Sequence, residues 1–92
     1  MEKDWSERLT VEVCEVLKER RLKLGVSIYH VSQASGVSQQ AIAYYEKLHR
    51  RPTLDCLAKV AVALGLMPSE LLAEAEARLG GQKVIRKLGG QA

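Results

Sequence analysis

Apolar residues recur along this chain three and four positions apart, which is the spacing of one face of an α-helix. Glycine, serine, threonine and proline separate these segments, and these residue types begin and end helices. The pattern predicts five helices, at 6–24, 28–35, 39–47, 54–64 and 68–79. Because the sequence contains no β-hairpin signal, the predicted fold is all-α, a compact five-helix domain.

Start and stop signals support these boundaries. Ser6, Ser27, Ser38 and Thr53 are candidate N-caps, because a side-chain oxygen at that position can accept a hydrogen bond from a first-turn backbone N–H. Pro68 suits the first position of the fifth helix, which needs no backbone donor. The glycines that we expect at helix ends, where a left-handed backbone is favoured, are Gly25, Gly36 and Gly65.

Length and composition narrow the class of protein. Ninety-two residues suit a single domain, and aromatic residues make up only 4% against 47% hydrophobic residues, which fits helix packing. No apolar run approaches the roughly 18 residues of a membrane span, and the N-terminus does not resemble a signal peptide, so we expect a cytoplasmic protein. Cys14 and Cys56 have no Cys or His at metal-ligand spacing, so we expect both to be buried apolar residues, with no metal and no cofactor.

Charge is distributed unevenly along the chain. The net charge is −3 over 1–15, +5 over 18–59, −2 over 60–79 and +3 over 80–92, which together give +3. A basic middle section suits a polyanionic partner, although ordinary solvated surfaces have similar charge.

The strongest motif lies in this basic section. A short helix, a turn containing Gly36 and a second helix that opens on Ser38, Gln39 and Gln40 form the arrangement in which one helix braces another against DNA. The small Ala34 before the turn allows the two helices to approach each other closely.

From Val16 to Leu72 the chain resembles the lambda-repressor-like helix-turn-helix family, the Cro/CI-type or XRE-type transcriptional regulators of phages and bacteria. The resemblance places a helix-turn-helix DNA-binding domain at 16–79, after an N-terminal extension of helix 1 (1–15). Gly80, Gly81, Gly89 and Gly90 indicate a flexible C-terminal tail (80–92), in which Val84, Ile85 and Leu88 could instead form a turn of helix on a partner. The landmarks that carry the resemblance are Leu17, Arg21, Leu24, Gly25, Val31, Gly36, Val37, Ser38, Ile42, Glu46, Pro52, Leu57, Ala61, Leu64, Gly65 and Leu71.

The resemblance implies which residues read DNA bases. In that family the second helix of the motif lies in the major groove, so Ser38, Gln39, Gln40 and Tyr44 are expected at base edges. A glutamine amide can donate to and accept from adenine simultaneously, which suits this role. The alternative is that both glutamines are simply solvated residues on an exposed helix.

Phosphate contacts are expected on both sides of the reading helix. Two positions depart from the family pattern: Ile28 stands where a phosphate-contacting glutamine is usual, so that Tyr29 or His30 would substitute, and Lys47 with Leu48 replaces a common Asn-Gly pair. The second departure leaves open whether the reading helix continues or turns. The alternative for the loop cations is that they only keep the loop solvated. The expected phosphate contacts are Ser27, Tyr29, Lys47, His49, Arg50 and Arg51.

Two further roles follow from the resemblance. Arg21 and Glu46 match positions that form a partly buried ion pair in relatives, the alternative being two unconnected surface charges. One module buries only roughly 600 to 1,000 Å² on DNA, and relatives dimerise on palindromic operators, so a homodimer is expected. Its predicted interface is the apolar side of the fifth helix, with Trp5 and Leu9 as a second candidate and ordinary core as the alternative for both. The fifth-helix residues are Leu71, Leu72, Ala75 and Leu79.

The leading functional hypothesis is a sequence-specific, double-stranded DNA-binding transcriptional regulator, such as a phage-type repressor, a restriction controller or an antitoxin. A second hypothesis is a protein-interaction adaptor whose helix-turn-helix no longer binds DNA. Gln39 and Gln40 beside an intact basic loop favour DNA. No nucleophile-base pair, carboxylate constellation or phosphate-binding glycine loop indicates an enzyme, and no motif indicates a small-molecule ligand.

Overall fold

Five helices form the fold in a computed structural model that describes residues 4–80. They are α1 (Trp5–Leu24), α2 (Ile28–Ser35), α3 (Gln39–Glu46), α4 (Leu54–Ala63) and α5 (Pro68–Arg78), and these residues contain no strand. The all-α, five-helix prediction is confirmed, with every helix boundary within one residue of its predicted position. The predicted tail lies, from residue 81 onwards, outside the described residues.

Three of the predicted N-caps are present. The hydroxyls of Ser27, Ser38 and Thr53 each accept a hydrogen bond of 3.1 Å from the backbone N–H three residues later. Each bond satisfies one of the donors that the first turn of a helix leaves without an intrahelical partner. The short helices α2, α3 and α4 therefore begin at positions that their own sequences specify.

The predicted cap of α1 at Ser6 is wrong. Asp4 caps this helix, because its carboxylate accepts from the Glu7 backbone N–H at 2.9 Å and the Glu7 carboxylate accepts from the Asp4 backbone N–H at 3.2 Å. This reciprocal capping box satisfies two donors, whereas a serine alone satisfies one. Ser6 instead donates its hydroxyl to the Asp4 carboxylate at 2.8 Å. The backbone N–H of Glu7 is also the main cause that lowers the pKa of Asp4.

The hydrophobic core lies around α1, which packs most extensively on α5, while α2 packs on α3 and α4. Cys14 is in this core, as expected, whereas Cys56 is only partly buried. Among the described residues the core contains no charged or polar residue. Its members are Val13, Cys14, Val16, Leu17, Val31, Val37, Ala41, Ile42, Tyr45, Val60, Ala61, Leu64, Leu71 and Ala75.

The predicted dimer interface on α5 needs correction. Leu71 and Ala75 are both 0% exposed, because α5 turns this side against α1 and α4. Neither side chain can contact a second copy, and the alternative of ordinary core holds for them. Leu72 is partly buried and packs against the core. Leu79, Trp5 and Leu9 are also partly buried.

Within residues 4–80, no single helix is long and apolar enough to cross a membrane. Helices α4 and α5 meet that measure only when taken together, and they are bent by 100° relative to each other.

Candidate nucleic-acid interface

The turn between α2 and α3 depends on Gly36, whose φ of 80° lies in the left-handed region. Its N–H donates to the Ser32 carbonyl at 2.8 Å and so closes the end of α2. A Cβ at Gly36 would meet no atom within 4 Å, so the backbone conformation and not the space favours glycine here. The next side chain, Val37, is buried and anchors the turn to the core.

Helix α3 has one buried face and one exposed face. Ala41, Ile42 and Tyr45 are buried, which fixes the rotation of the helix. The opposite face carries the predicted reading residues: Gln39 and Gln40 are exposed, as is Ser38 at the N-cap, and Tyr44 is half-buried. The structure therefore leaves Gln39, Gln40 and Tyr44 on the part of α3 that faces away from the core, with Ser38 at its N-cap.

Tyr44 connects this face to the loop after α3. Its hydroxyl accepts a hydrogen bond from Gln40 Nε2 at 3.1 Å. The Arg50 guanidinium carbon lies 5.2 Å from the centroid of the Tyr44 ring, which is a cation–π distance. The His49 ring centroid lies 6.2 Å from the same ring. Two predicted phosphate-binding residues are thus held beside the predicted base-reading face.

The loop itself turns without the glycine that the family often has. Helix α3 ends at Glu46, and Leu48 has a φ of 62°, the left-handed conformation that a glycine would adopt easily. The His49 N–H donates to the Tyr44 carbonyl at 2.8 Å and closes the turn. For a residue with a Cβ this conformation costs about 1 to 2 kcal/mol. Helix α3 therefore stops where the family pattern would stop it, at some conformational cost.

The two loop arginines point in different directions. Arg50 stacks on Tyr44, whereas Arg51 donates to the Glu7 carboxylate of α1 at 3.1 Å. The side chain of Arg51 is 71% exposed, so this ion pair is a surface contact. Lys47 is also exposed. The sequence presents the loop cations as one group, but the structure separates Arg51 from Arg50 and His49.

The N-terminus of α2 carries the other predicted phosphate contacts. Ser27 Oγ lies 2.9 Å from His30 Nδ1, in addition to capping the helix. Tyr29 is exposed and contacts the His30 ring edge-on, with 5.7 Å between the centroids. Ile28, in the position that is usually glutamine in the family, packs against the core instead. A polar cluster of Ser27, Tyr29 and His30 therefore stands beside this apolar residue.

Arg21 and Glu46 form a two-pronged ion pair between α1 and the end of α3. Arg21 Nε donates to Glu46 Oε2 at 2.6 Å and Nη2 donates to Oε1 at 2.9 Å. The side chains are only 14% and 11% exposed. Hydrogen bonding to Glu46 raises the pKa of Arg21. Arg21 Nη1 also donates to the Val26 carbonyl at 2.9 Å, so one guanidinium joins α1, the following turn and α3.

A helix-turn-helix family model matches residues 17–71, which is more than half of the chain. The chain belongs to the Cro/CI/XRE-type helix-turn-helix family. This is a family of double-stranded DNA-binding regulators and is generally non-enzymatic, and the assignment does not favour an adaptor that has lost DNA binding. Searches of the curated proteins and of the solved structures found no match.

In this Cro/CI/XRE-type chain the matched region covers all of α2, α3 and α4, so the motif and the basic loop lie inside it. Residues 4–80 contain no group of three or more His, Cys, Asp or Glu side chains that could hold a metal ion.

Other contacts that hold the helices of this family member around α1 are not predictable from local spacing in the sequence. Arg20 Nε donates to the Leu64 carbonyl at 3.0 Å. Arg78 donates to both Glu19 oxygens at 2.7 and 3.0 Å and to Glu74 at 3.2 Å. These bonds raise the pKa of Arg78, and the bond from Arg78 lowers the pKa of Glu19. Arg20 and Arg78 bind partners 44 and 59 positions away, and no spacing rule connects such residues.

Proposed function

We propose that this chain is a sequence-specific transcriptional regulator that reads the major groove of double-stranded DNA with α3. The observation that carries the proposal is the exposed polar face of α3, which presents Gln39 and Gln40 next to the stacked pair of Tyr44 and Arg50. A short helix with base-reading amides at its start and cations at its end suits a groove lined by phosphates.

The hydrogen bond between Gln40 and Tyr44 supports a reading role for the amide. A glutamine amide has two N–H donors and one carbonyl oxygen, and the bond to Tyr44 uses one donor. One donor and the oxygen remain, which is the pair that adenine N7 and N6 require. Tyr44 thus fixes the orientation of the amide before DNA arrives. Ser38 and Gln39 complete the proposed base-reading set.

Phosphate contacts come from both sides of α3 in this proposal. Arg50 already lies against the reading face, whereas Arg51 must leave Glu7, which costs little because an exposed ion pair contributes only about 0 to 1 kcal/mol. Backbone N–H groups at the starts of α2 and α3 add weaker phosphate contacts. The proposed phosphate-binding side chains are Ser27, Tyr29, Lys47, His49, Arg50 and Arg51.

Regulation would follow from operator occupancy by a homodimer on two half-sites. A single module of this size buries too little surface for tight specific binding, so two copies on a palindromic operator are proposed. A dimer bound across a promoter would exclude RNA polymerase, and we therefore propose repression as the regulatory outcome.

Fluorescence anisotropy tests this function directly. The DNA upstream of the protein's own gene is compared with a scrambled duplex of equal length, at two salt concentrations. We expect tighter binding to the upstream DNA and a steep loss of affinity as salt rises. Arg50→Ala and Arg51→Ala should each lower the salt slope by about one, for all sequences alike. Arg8→Ala, on the α1 side of the molecule, is the control with the same loss of charge. No binding to either duplex at low salt would contradict the proposal.

A further inference from the structure

An apolar stripe runs along the outer side of α4. Leu54 is 75% exposed and Val62 is 57% exposed, and Ala58, which is half-buried, lies between them, one helical turn from each. We call these three residues the α4 stripe. Val60 and Ala61 of the same helix are buried in the core, and Ala61 borders the stripe, because it lies seven positions after Leu54.

The α4 stripe differs from the other exposed apolar residues among residues 4–80. Leu22 and Leu24 are two positions apart and so lie on different sides of the end of α1. Met67 is in a connecting segment and Leu48 is in the loop after α3. Single exposed apolar side chains are common, whereas exposed apolar residues in contiguous patches mark interaction sites, and residues aligned along a helix can form such a patch.

One flank of the α4 stripe carries a charged pair. Lys59 Nζ lies 3.1 Å from the Asp55 carboxylate, one turn away, and both side chains are more than half exposed. The opposite charges lie at opposite ends of this flank. If a second α4 packs antiparallel, its Lys59 comes next to Asp55 and its Asp55 comes next to Lys59. The flank is therefore complementary in charge to a copy of itself.

We propose that the α4 stripe is the surface on which two copies of this chain pair, with their α4 helices antiparallel about a two-fold axis at Ala58. Leu54 of each copy then packs against Val62 of the other, and the small Ala58 lets the helices approach closely. A two-fold interface must be complementary to itself, and both the apolar stripe and its charged flank meet that requirement. An apolar centre with a charged rim is the usual composition of such surfaces.

This inference rests on the proposed function, because it names the surface that would join two half-site readers. It also replaces the α5 residues Leu71 and Ala75, which are buried within one copy. Leu54 follows the loop of His49 to Pro52 directly, so the contact begins beside the proposed phosphate-binding residues. A helix of ten residues is about 15 Å long, so the contact is small and we expect a dissociation constant in the micromolar range, lowered further by DNA.

The test uses charge reversal and sedimentation of the full chain without DNA. Asp55→Lys gives a flank with two lysines, and Lys59→Asp gives a flank with two aspartates. Each variant alone should dimerise at least about tenfold more weakly than the wild type, because like charges would face each other. An equimolar mixture should recover dimers, because lysines then face aspartates. A defect in folding could not produce this recovery.

Two further variants distinguish loss of the dimer surface from loss of the folded structure. Leu54→Glu should give a monomer with an unchanged helical circular dichroism spectrum. Leu22→Glu, which places the same charge at a residue that is 56% exposed on α1, should dimerise like the wild type. A wild type that stays monomeric at high micromolar concentration would overturn the inference and would assign the stripe to another occupant, such as residues 81–92. Dimers that persist in Leu54→Glu, or a mixture of charge variants that does not recover, would also overturn it.

A duplex with a single half-site distinguishes this inference from the proposed function. Val62→Glu, two helical turns away from the proposed phosphate-binding loop, should bind the single half-site as tightly as the wild type and should lose affinity only on the complete operator. Loss of binding to both duplexes in the wild type would instead contradict DNA reading and would leave the sedimentation result unaffected.

Discussion

Helices α3 and α5 are both short, and each is held to α1 by an arginine that bonds both oxygens of a glutamate. At α3 the pair is Arg21 with Glu46, 14% and 11% exposed. At α5 the pair is Arg78 with Glu19, 30% and 56% exposed. The two pairs have similar hydrogen-bond geometry, but the side chains of the second pair are more exposed to solvent. Loss of one partner should therefore cost more free energy of unfolding in the first pair than in the second.

The difference follows from what each helix buries. Helix α5 has Leu71 and Ala75 fully inside the core, and no DNA-reading role is proposed for its outer face. Helix α3 must leave its outer face, with Gln39 and Gln40, free for the proposed DNA contacts. A shielded ion pair supplies the directional contact that a half-exposed helix lacks. The ion pair is therefore expected to contribute more at α3 than at α5.

Removal of the two glutamates tests this comparison with the largest expected effect. Glu46→Ala leaves the Arg21 guanidinium shielded and without its partner, so we expect the free energy of unfolding to fall by about 3 kcal/mol. Glu19→Ala is the matched control and should cause a much smaller loss, because its pair is exposed to solvent. Urea denaturation followed by circular dichroism measures both. Equal losses in the two variants would show that shielding does not distinguish the pairs.

Substitutions on the outer face of α3 should weaken operator binding without changing the stability of the fold. Gln40→Ala removes one possible bidentate contact, so we expect operator affinity to fall by about 1 to 3 kcal/mol with relaxed specificity at one base pair. Gln39→Ala should have an effect of the same size. The urea midpoint should not change, because both side chains are exposed. An unchanged operator preference in both variants would contradict the base-reading assignment.

Tyr44→Phe refines this experiment. It removes the hydroxyl that accepts from Gln40 and keeps the ring beneath Arg50. If the hydroxyl orients the amide, the variant should lose part of the base preference and retain its salt slope.

Substitutions in the turns that follow α3 and α5 should change the stability of the fold by a smaller amount. The turn after α3 places Leu48 at φ 62°, whereas the turn after α5 places Gly80 at φ 74°. Leu48→Gly should therefore stabilise the fold by about 0.5 to 1 kcal/mol, once the greater freedom of glycine in the unfolded chain is counted. Gly80→Ala should destabilise it by a similar amount, and a Cβ there would meet no atom within 4 Å, so only the backbone conformation is tested. A loss of stability in Leu48→Gly would mean that the side-chain contacts of Leu48 outweigh its backbone strain.

Thiol labelling provides the most local measurement. Burial raises the pKa of Cys14 to about 11, whereas hydrogen bonding to the side chains of Thr53 and Tyr45 lowers the pKa of Cys56. At about pH 8 iodoacetamide should therefore modify Cys56 well before Cys14, because the thiolate is the reactive form. Glu46→Ala should speed the modification of Cys14, which lies in the core beneath α3, and Glu19→Ala should not. Similar Cys14 rates in the two variants would indicate that α3 does not shield the core through its ion pair.

Local signals in the sequence were sufficient for most of the fold. The caps at Ser27, Ser38 and Thr53 act within three residues, so a single sequence reveals them. The predicted start of α1 is one residue late. Asp4 and Glu7 cap the helix jointly, whereas Ser6 is a plausible cap when each residue is considered alone. The apolar spacing of α5 was read correctly, but spacing alone does not tell whether a stripe faces its own core or another molecule.

The candidate site was less predictable than the fold. Gln40 and Tyr44 are one helical turn apart, so their proximity follows from the sequence once α3 is known. The stacking of Arg50 on Tyr44 and the separate path of Arg51 depend on the turn at Leu48, which no glycine marks in the sequence. Long side chains such as Arg78 reach partners that only the packed helices bring near.

The third hydrogen bond of Arg21, to the Val26 carbonyl, has a consequence for cooperativity. A helix of eight residues is too short to persist alone, so α3 keeps its structure only while it is attached to the rest of the domain. One guanidinium ties the long helix, the turn that leads into the motif and the far end of α3 into a single unit. The amide hydrogens of α3 should then exchange with solvent only when the whole domain opens, and without this tie they would exchange through a local opening that leaves α1 intact.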